Sequence, residues 1–257
     1  MSRRQDAKAT PPEAPADAAP PAPEPRPPKS FRRWAWEWIK SIAVALVIWL
    51  VLRTFLVEAF RIPSSSMERT LLVGDFLFVN KALYGAEVPL LHAHLPAVRQ
   101  PRRGDIVVFD SRTEAGVKVV KRVIGIPGDT LQMRNNVLYR DGVRQVEPYV
   151  EHVDPGSDPS DPEMRLWQVR YLVRGVDPAA YQPTRGTWGP LVVPPGQYFV
   201  MGDNRDNSYD SRYWGFVDRG VIRGRPLFIY YSYDHDSWRV LPFITAIRWG
   251  RIGKHPS

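Results

Sequence analysis

The sequence predicts a mainly β domain that follows one membrane-spanning helix. The β structure is predicted from runs of β-branched and aromatic residues that are bounded by Gly, Pro, Asn and Asp. These runs lie at 76–81, 104–109, 117–126, 191–202 and 227–234. Residues 136–145 (NVLYRDGVRQ) have the pattern of a short hairpin that turns at Asp141-Gly142. The sequence has no heptads and no internal repeat, which argues against a coiled coil or a repeat array.

The helix is predicted from the stretch WAWEWIKSIAVALVIWLVLRTFLVEAF, which begins at Trp34. From Ile39 to Val57 it offers 19 mostly apolar residues, close to the ~20 that cross a bilayer core. Trp34, Trp36 and Trp38 precede this run and are typical of an interfacial aromatic belt. The alternative is a cleavable secretory signal peptide, but its n-region would be unusually long, at about 40 residues.

The basic character of the chain favours a membrane over a nucleic acid. The formal net charge is +8, and eight of the basic residues precede Ser41 and lead directly into the apolar run. This is the positive-inside pattern of a membrane protein whose N-terminus is cytoplasmic. We therefore expect a lipid bilayer as a partner, no nucleic acid, and a single pass through the cytoplasmic (inner) membrane. The sequence has no cysteine, which excludes disulfides and thiol catalysis.

Composition divides the chain into three predicted parts. Residues 1–33 form a Pro-rich cytoplasmic tail, predicted to be disordered because nine prolines among the first 30 residues leave little apolar surface to bury. Residues 34–57 form the predicted anchor, and residues 58–257 the predicted extracytoplasmic domain. Within that domain, the Pro- and Asp-rich stretch from about 143 to 190 predicts a loop-rich insertion.

The first candidate for chemistry is RIPSSSM (61–67), in which three serines follow the apolar run. No histidine has H-E-x-x-H spacing and no G-x-S-x-G motif occurs, so the usual signatures of zinc proteases and α/β-hydrolases are absent. A serine nucleophile without histidine needs another base, and lysine is a known variant. Taken alone, three such serines are more often a cap or a polar turn.

A candidate base lies in VKVVKRVIGI (117–126). If this segment is a strand, Lys121 shares a face with three valines, whereas Lys118 shares a face with Arg122. An apolar face disfavours the charged form of lysine, and lowering the pKa by two units corresponds to about 2.7 kcal/mol. Taken alone, a lysine in such a position is more often a surface residue. A third motif, MGDNRDNSYDSRYWGFV, changes this interpretation.

Together with that third motif, the sequence resembles the bacterial type I signal peptidases (leader peptidases), which are membrane-anchored Ser/Lys proteases. The resemblance covers about residues 41–126 and 197–257 and is carried by RIPSSSMERTLLVGDFLFVNK, RRGDIVVF, VVKRVIGIPGD and MGDNRDNSYDSRYWGFV. It implies an antiparallel β-sheet or barrel-like catalytic domain, cleavage of preprotein signal peptides, and no cofactor or metal.

The resemblance also implies a role for individual residues. Ser66 is similar to the nucleophile, Lys121 to the general base and Ser64 to the oxyanion-hole serine. Ser208 is similar to the serine that orients the lysine amine. Asp210 and Arg212 are similar to a structural ion pair that supports the site, and Asp203 and Arg205 are expected to hold the same loop. Substrate pockets for small side chains are expected at Phe60, Ile62, Pro63, Met67, Leu71, Val119 and Val120.

Three departures from the family pattern accompany the resemblance. Ser65 stands where Gly is common, Glu68-Arg69 replaces an apolar-Pro pair, and Ala59 stands where Pro is frequent. With Val57, Ala59 forms a possible self-cleavage site, and Phe60 would be the new N-terminus. The alternatives left open are a specialised maturation protease for one secreted substrate and an inactive anchored binding module. A repressor-type Ser/Lys protease is disfavoured because no helix-turn-helix precedes Ser41.

Overall fold

The computed structural model describes residues 31–51, 53, 56–85, 87–88, 93–94 and 96–257. The chain divides between Ala45 and Leu46 into two compact units, and all the strands belong to the second. The strands of the described residues are β1 (Val57–Arg61), β2 (Asp75–Asn80), β3 (Glu87–Val88), β4 (Ala93–His94), β5 (Ile106–Asp110), β6 (Lys118–Gly125), β7 (Thr130–Arg134), β8 (Val137–Arg140), β9 (Val143–Arg144), β10 (Trp188–Val192), β11 (Gln197–Met201), β12 (Val217–Asp218) and β13 (Ile222–Ser232). The helices are α1 (Phe31–Val51), α2 (Pro162–Gln168), α3 (Ser211–Trp214) and α4 (Pro242–Thr245).

The main sheet has seven strands in the order β1-β2-β13-β5-β6-β11-β12, and neighbouring strands are antiparallel. The sheet curls, and its curvature brings Lys118 on the fifth strand into contact with Glu58 on the first. A buried apolar cluster fills the concave side; it includes Leu77 of β2, Val120 of β6 and Ile62, which follows β1. The predicted mainly β, antiparallel fold is therefore confirmed, in the form of a half-barrel.

A second sheet has the order β10-β7-β8-β9 and packs beside β11 through a buried aromatic cluster that includes Trp188 and Phe199. The predicted hairpin is confirmed as β8–β9. Its turn residues Asp141 and Gly142 both have positive φ, at 52° and 78°, as a two-residue turn between twisted strands requires.

Two sequence expectations change in detail. The run 191–202 forms two strands, because Pro194 and Pro195 cannot donate ladder hydrogen bonds and Gly196 turns the chain at φ 74°. The Pro- and Asp-rich stretch 143–190 contains α2, which Asp161 caps by accepting from the Glu163 N–H. It also buries Met164 and Trp188, so this stretch contributes to the core.

Helix α1 covers 21 residues and carries the predicted tryptophan belt on its exposed surface. Among the described residues, no helix combines the length and apolarity needed to cross a membrane. The predicted span Ile39–Val57 runs on through residues 52, 54 and 55, which lie outside the described part, and Val57 already belongs to β1. Residues 1–30 of the predicted tail also lie outside it.

Candidate active site

Ser66 lies in a short 3₁₀ turn, Ser65–Met67, at the edge of the curled sheet. The apolar residues on either side fix this turn, because Ile62 and Met67 are 2% and 1% exposed and pack in the cluster on the concave side. Ser66 itself is buried, and its carbonyl accepts a hydrogen bond of 3.2 Å from the Asn204 N–H. The turn that carries the serine hydroxyl is therefore fixed by the packing of Ile62 and Met67 and by the hydrogen bond from Asn204.

Lys121 comes from β6 and meets this hydroxyl. Its Nζ lies 2.6 Å from Ser66 Oγ, and the side chain is 3% exposed. Burial lowers the pKa of Lys121 to about 8; nearby Arg212 lowers it further, while Asp210 and Asp203 act in the opposite direction. The physical argument from the valine-lined face therefore agrees with the structure. Lys118, by contrast, is partly exposed and pairs with Glu58 at 2.5 Å.

The segment 202–212 packs against the nucleophile turn and allows almost no space between the two. A Cβ at Gly202 would lie 2.4 Å from the Ser66 carbonyl oxygen and 2.3 Å from Ser208 Oγ, so only glycine fits. Asp203 is fully buried and forms a two-pronged ion pair with Arg122, at 2.7 and 2.8 Å. This pair ties the segment to β6, the strand that carries Lys121.

The other predicted support residues form a buried network behind the lysine. Ser208 Oγ donates to Asp210 Oδ2 at 2.7 Å, and Asp210 pairs with Arg212 at 2.8 and 2.9 Å. Burial alone would raise the pKa of Asp210, but Arg212 and its hydrogen bonds hold that pKa below the usual range. Within the described residues, the one hydrogen bond of Lys121 Nζ goes to Ser66.

The insertion predicted at 143–190 supports this segment from outside. Arg205 pairs with Glu147 at 2.6 Å, and both side chains are nearly buried. From α2, Gln168 Nε2 donates to the Arg212 carbonyl at 2.8 Å. Arg205 therefore binds a partner in the insertion, a contact that the sequence did not indicate.

A cavity of about 370 Å³ adjoins Ser66 and Lys121. Its described lining includes the predicted pocket residues Phe60, Ile62, Pro63, Met67, Val119 and Val120, together with Ser64. Leu71 is the exception: it is not among the lining residues, and it is fully buried in the cluster on the concave side. Ser64 Oγ lies 3.4 Å from Ser66 Oγ.

Several lining residues were not predicted. They are Ser111, Thr113, Glu114, Val117, Lys118, Asn207 and Tyr209. Asn207 also donates to Ser65 Oγ at 2.7 Å, which joins the segment 202–212 to the nucleophile turn. Asn207 and Tyr209 could have been suspected, because they flank Ser208 in the DNSYDS motif. The loop 111–117 carries no comparable sequence signal.

The possible self-cleavage site lies within β1. Ala59 is paired with Phe78 of β2, and Phe60 packs against the cluster on the concave side. Cleavage between them would require this edge strand to detach, so self-cleavage stays a hypothesis. No group of three or more His, Asp or Glu side chains in the described residues is arranged to hold a metal ion.

A serine hydroxyl bonded to a buried lysine, at the edge of a curled antiparallel sheet, is the arrangement of a serine hydrolase in which lysine replaces histidine. Comparison with known proteins specifies the family. Residues 35–231 match the family described as signal peptidase, peptidase S26. The chain belongs to this family.

Individual relatives agree with the family match. The chain is 43% identical over 226 residues to signal peptidase I of Pseudomonas aeruginosa, covering 82% of this chain and 78% of the relative. It is 34% identical to signal peptidase I of Bacillus licheniformis, covering 77% and 90%. A crystal structure of a signal peptidase I from Enterococcus faecalis is 33% identical, with a TM-score of 0.34, and the match covers 50% of this chain and 98% of that one.

Proposed function

We propose that Ser66 and Lys121 form the catalytic dyad with which this chain, a serine endopeptidase, removes N-terminal signal peptides from exported preproteins. One observation carries the proposal: Lys121 Nζ lies 2.6 Å from Ser66 Oγ, where burial lowers the lysine pKa to about 8. Near pH 8 a large fraction of such lysines is neutral and can accept a proton. A specialised protease for one substrate or an inactive binding module is not favoured, since relatives named signal peptidase I match most of the chain.

The reaction is acyl transfer in two halves. Neutral Lys121 takes the proton of Ser66 Oγ as this oxygen bonds to the carbonyl carbon of the residue before the scissile bond. The C–N bond then breaks, and the lysinium gives its proton to the leaving amine. Water attacks the acyl-enzyme with Lys121 again as base, which releases the signal peptide and restores Ser66. The resemblance implies that no cofactor takes part.

Ser64 is proposed as an oxyanion donor, together with the backbone N–H of Ser66. Its hydroxyl lies 3.4 Å from Ser66 Oγ and lines the same cavity, which supports a position beside the carbonyl under attack. A donor that is fixed before the negative charge develops is typically worth about 3–4 kcal/mol of barrier.

Ser208 is proposed to orient the lysine amine. Its hydroxyl proton is committed to Asp210, so its oxygen is left as an acceptor for an N–H of Lys121. Asp210 is in turn fixed by Arg212. A neutral amine that donates to Ser208 turns its lone pair toward Ser66, which is the geometry that proton transfer needs.

The substrate's small residues at −1 and −3 are proposed to occupy the cavity between β1 and β6. Apolar side chains dominate its walls near the dyad, among them Phe60, Ile62 and Val120. Beside the cavity, residues 118–121 of β6 pair with β5 on one side only, because β11 pairs from position 122 onward. An extended substrate can add main-chain hydrogen bonds along this open edge.

We also propose that the chain is a single-pass protein of the inner membrane, with its catalytic domain on the extracytoplasmic side. The positive-inside pattern and the tryptophan belt support anchoring near α1. In the other unit, an exposed apolar surface supports contact with lipid; it comprises Trp238, Val240, Leu241, Phe243, Ile244 and Trp249. Because the chain has no cysteine, single cysteines at positions 20 and 160 test the topology: an impermeant maleimide should label only position 160 in spheroplasts.

The decisive experiment compares the detergent-purified chain with Lys121→Met on a preprotein carrying an Ala-x-Ala site. We expect cleavage after the −1 alanine, and a loss of about 10³- to 10⁴-fold in the variant, because the proposed base is removed. Lys81→Met, a lysine outside the cavity, is the matched control. Undiminished cleavage by Lys121→Met would assign the base elsewhere, and no cleavage by folded wild type would reject the proposed function.

A further inference from the structure

The cavity next to the dyad is open between two strand edges, and a charge pair joins those edges at one end. On one side lies β1, the terminal strand of the seven-stranded sheet. On the other side lies the open edge of β6, residues 118–121. Lys118 Nζ lies 2.5 Å from Glu58 Oε1, so this ion pair crosses from one edge to the other. The side chains of Lys118 and Glu58 are 31% and 33% exposed, so incoming substrate can reach them.

The local charge at this crossing is not balanced. Glu58 lies between two lysines, since Lys81 Nζ is 3.8 Å from its other carboxylate oxygen. One carboxylate thus faces two ammonium groups, which leaves a net charge of +1. Of the two lysines, only Lys118 lines the cavity. Glu114 also lines it, at the loop that precedes β6.

The distance from the dyad places the crossing at a definite substrate position. Lys118 precedes Lys121 by three residues in β6, which corresponds to about 10 Å along an extended strand. A substrate that lies along the open edge with its −1 carbonyl at Ser66 therefore brings its residue −4 close to Lys118. In the other direction the β6 edge is closed by β11.

We propose that Lys118 and Glu58 are specificity-determining residues that select the charge of the substrate residue at about position −4. The inference rests on the proposed function of the Ser66–Lys121 dyad. With its excess positive charge, the crossing disfavours a lysine at −4 and favours an acidic or neutral side chain. Glu58 moderates this selection by neutralising Lys118 in part.

The test uses three peptides with an Ala-x-Ala site that differ only in Asp, Ala or Lys at −4. For each enzyme, the readout is the ratio of kcat/KM for the Asp peptide to that for the Lys peptide, which cancels differences in the amount of folded protein. We expect a ratio above one for wild type, a further rise of roughly two- to fivefold in Glu58→Gln, and a fall toward one in Lys118→Met. High salt should reduce all three ratios.

Lys81→Met is the matched control. It removes the more distant of the two ammonium groups beside the same carboxylate, and Lys81 does not line the cavity, so the ratio should fall less in Lys81→Met than in Lys118→Met. The inference is overturned if Glu58→Gln and Lys118→Met change the ratio in the same direction, or leave it unchanged while the Ala peptide is still cleaved. If wild type does not cleave the Ala peptide, the proposed function itself fails.

Discussion

The two halves of β6 carry positive charges in opposite ways. In the outer half, residues 118–121, the edge is open, and the two lysines face the cavity. In the inner half, residues 122–125, β11 covers that edge, and Arg122 is paired with Asp203 at 2% and 0% side-chain exposure. At the open edge, the lysine amines can change partners during a reaction. In the closed half, the Arg122 guanidinium stays paired with Asp203.

This difference separates reactivity from stability within eight residues of one strand. Lys121 is buried beside a serine hydroxyl, which is a neutral partner, so burial lowers its pKa. Arg122 is equally buried but has a carboxylate partner, and its guanidinium also stacks on Tyr149 at 3.8 Å. A buried cation without a carboxylate in direct contact has a lowered pKa and can serve as a base. A buried cation that is paired with a carboxylate keeps its charge and stabilises the fold.

The largest expected effect concerns the buried ion pair between Arg122 and Asp203. Arg122→Met leaves Asp203 buried without its partner, and we expect the free energy of unfolding to fall by about 3–5 kcal/mol. Lys118→Met, in the same strand, removes only a partly exposed ion pair and should cost about 1 kcal/mol or less. Urea unfolding of both variants in one detergent measures the two values. Equal losses would contradict the division of β6 into a structural and a reactive half.

The next effect concerns the pH dependence that Lys121 gives to folding. Its pKa is about 8 in the folded chain, against 10.5 for an unperturbed lysine. Between these two pH values the unfolded chain binds more protons than the folded chain, so stability rises with pH in this window. Below pH 8 lysine is protonated in both states, and the cost of burying its charge is fully present.

Lys121→Met removes this dependence. The free energy of unfolding of wild type relative to the variant should rise on the order of 3 kcal/mol between pH 8 and pH 10.5. Taking the difference between the two proteins cancels the titration of tyrosines and other groups that they share. As the pH increases through about 8, kcat/KM of wild type should rise, and it should level off roughly one to two units higher, when nearly all Lys121 is neutral. A flat difference would mean that Lys121 is solvated in the folded chain.

The sequence predicts much of the reactive half and little of the structural half. Alternation places Lys121 among valines, and this periodicity is local, so the burial of its amine can be argued from ten residues. The same alternation assigns Arg122 to a polar face, yet it is buried. Its cover comes from Asp203 and Tyr149, which are distant in sequence; the resemblance indicates Asp203 but not its pairing with Arg122, and no local pattern indicates Tyr149.

The support of the site shows the same limit. The resemblance pairs Asp210 with Arg212, as the structure does, but it places Asp203 and Arg205 in the same loop without indicating their partners. In the structure, Arg205 reaches Glu147, inside the stretch predicted as a loop-rich insertion. Polar side chains identify a site when they recur in a motif, but their partners depend on long-range packing that the local sequence does not encode.

The smallest effect concerns a contact between the segment 202–212, which the Arg122–Asp203 ion pair holds, and the turn that carries Ser66. Asn207 Nδ2 donates to Ser65 Oγ at 2.7 Å, and we expect this hydrogen bond to position Ser66 for attack. Ser65→Ala and Asn207→Ala should each lower kcat a few-fold with little change in KM, because Ser66 is then less well positioned in the transition state while substrate binding is unaffected. The double variant should be no worse than either single one, which corresponds to a coupling energy of about 1 kcal/mol. Additive losses, or a rise in KM confined to Asn207→Ala, would instead assign Asn207 to substrate binding and leave Ser65 as a spacer.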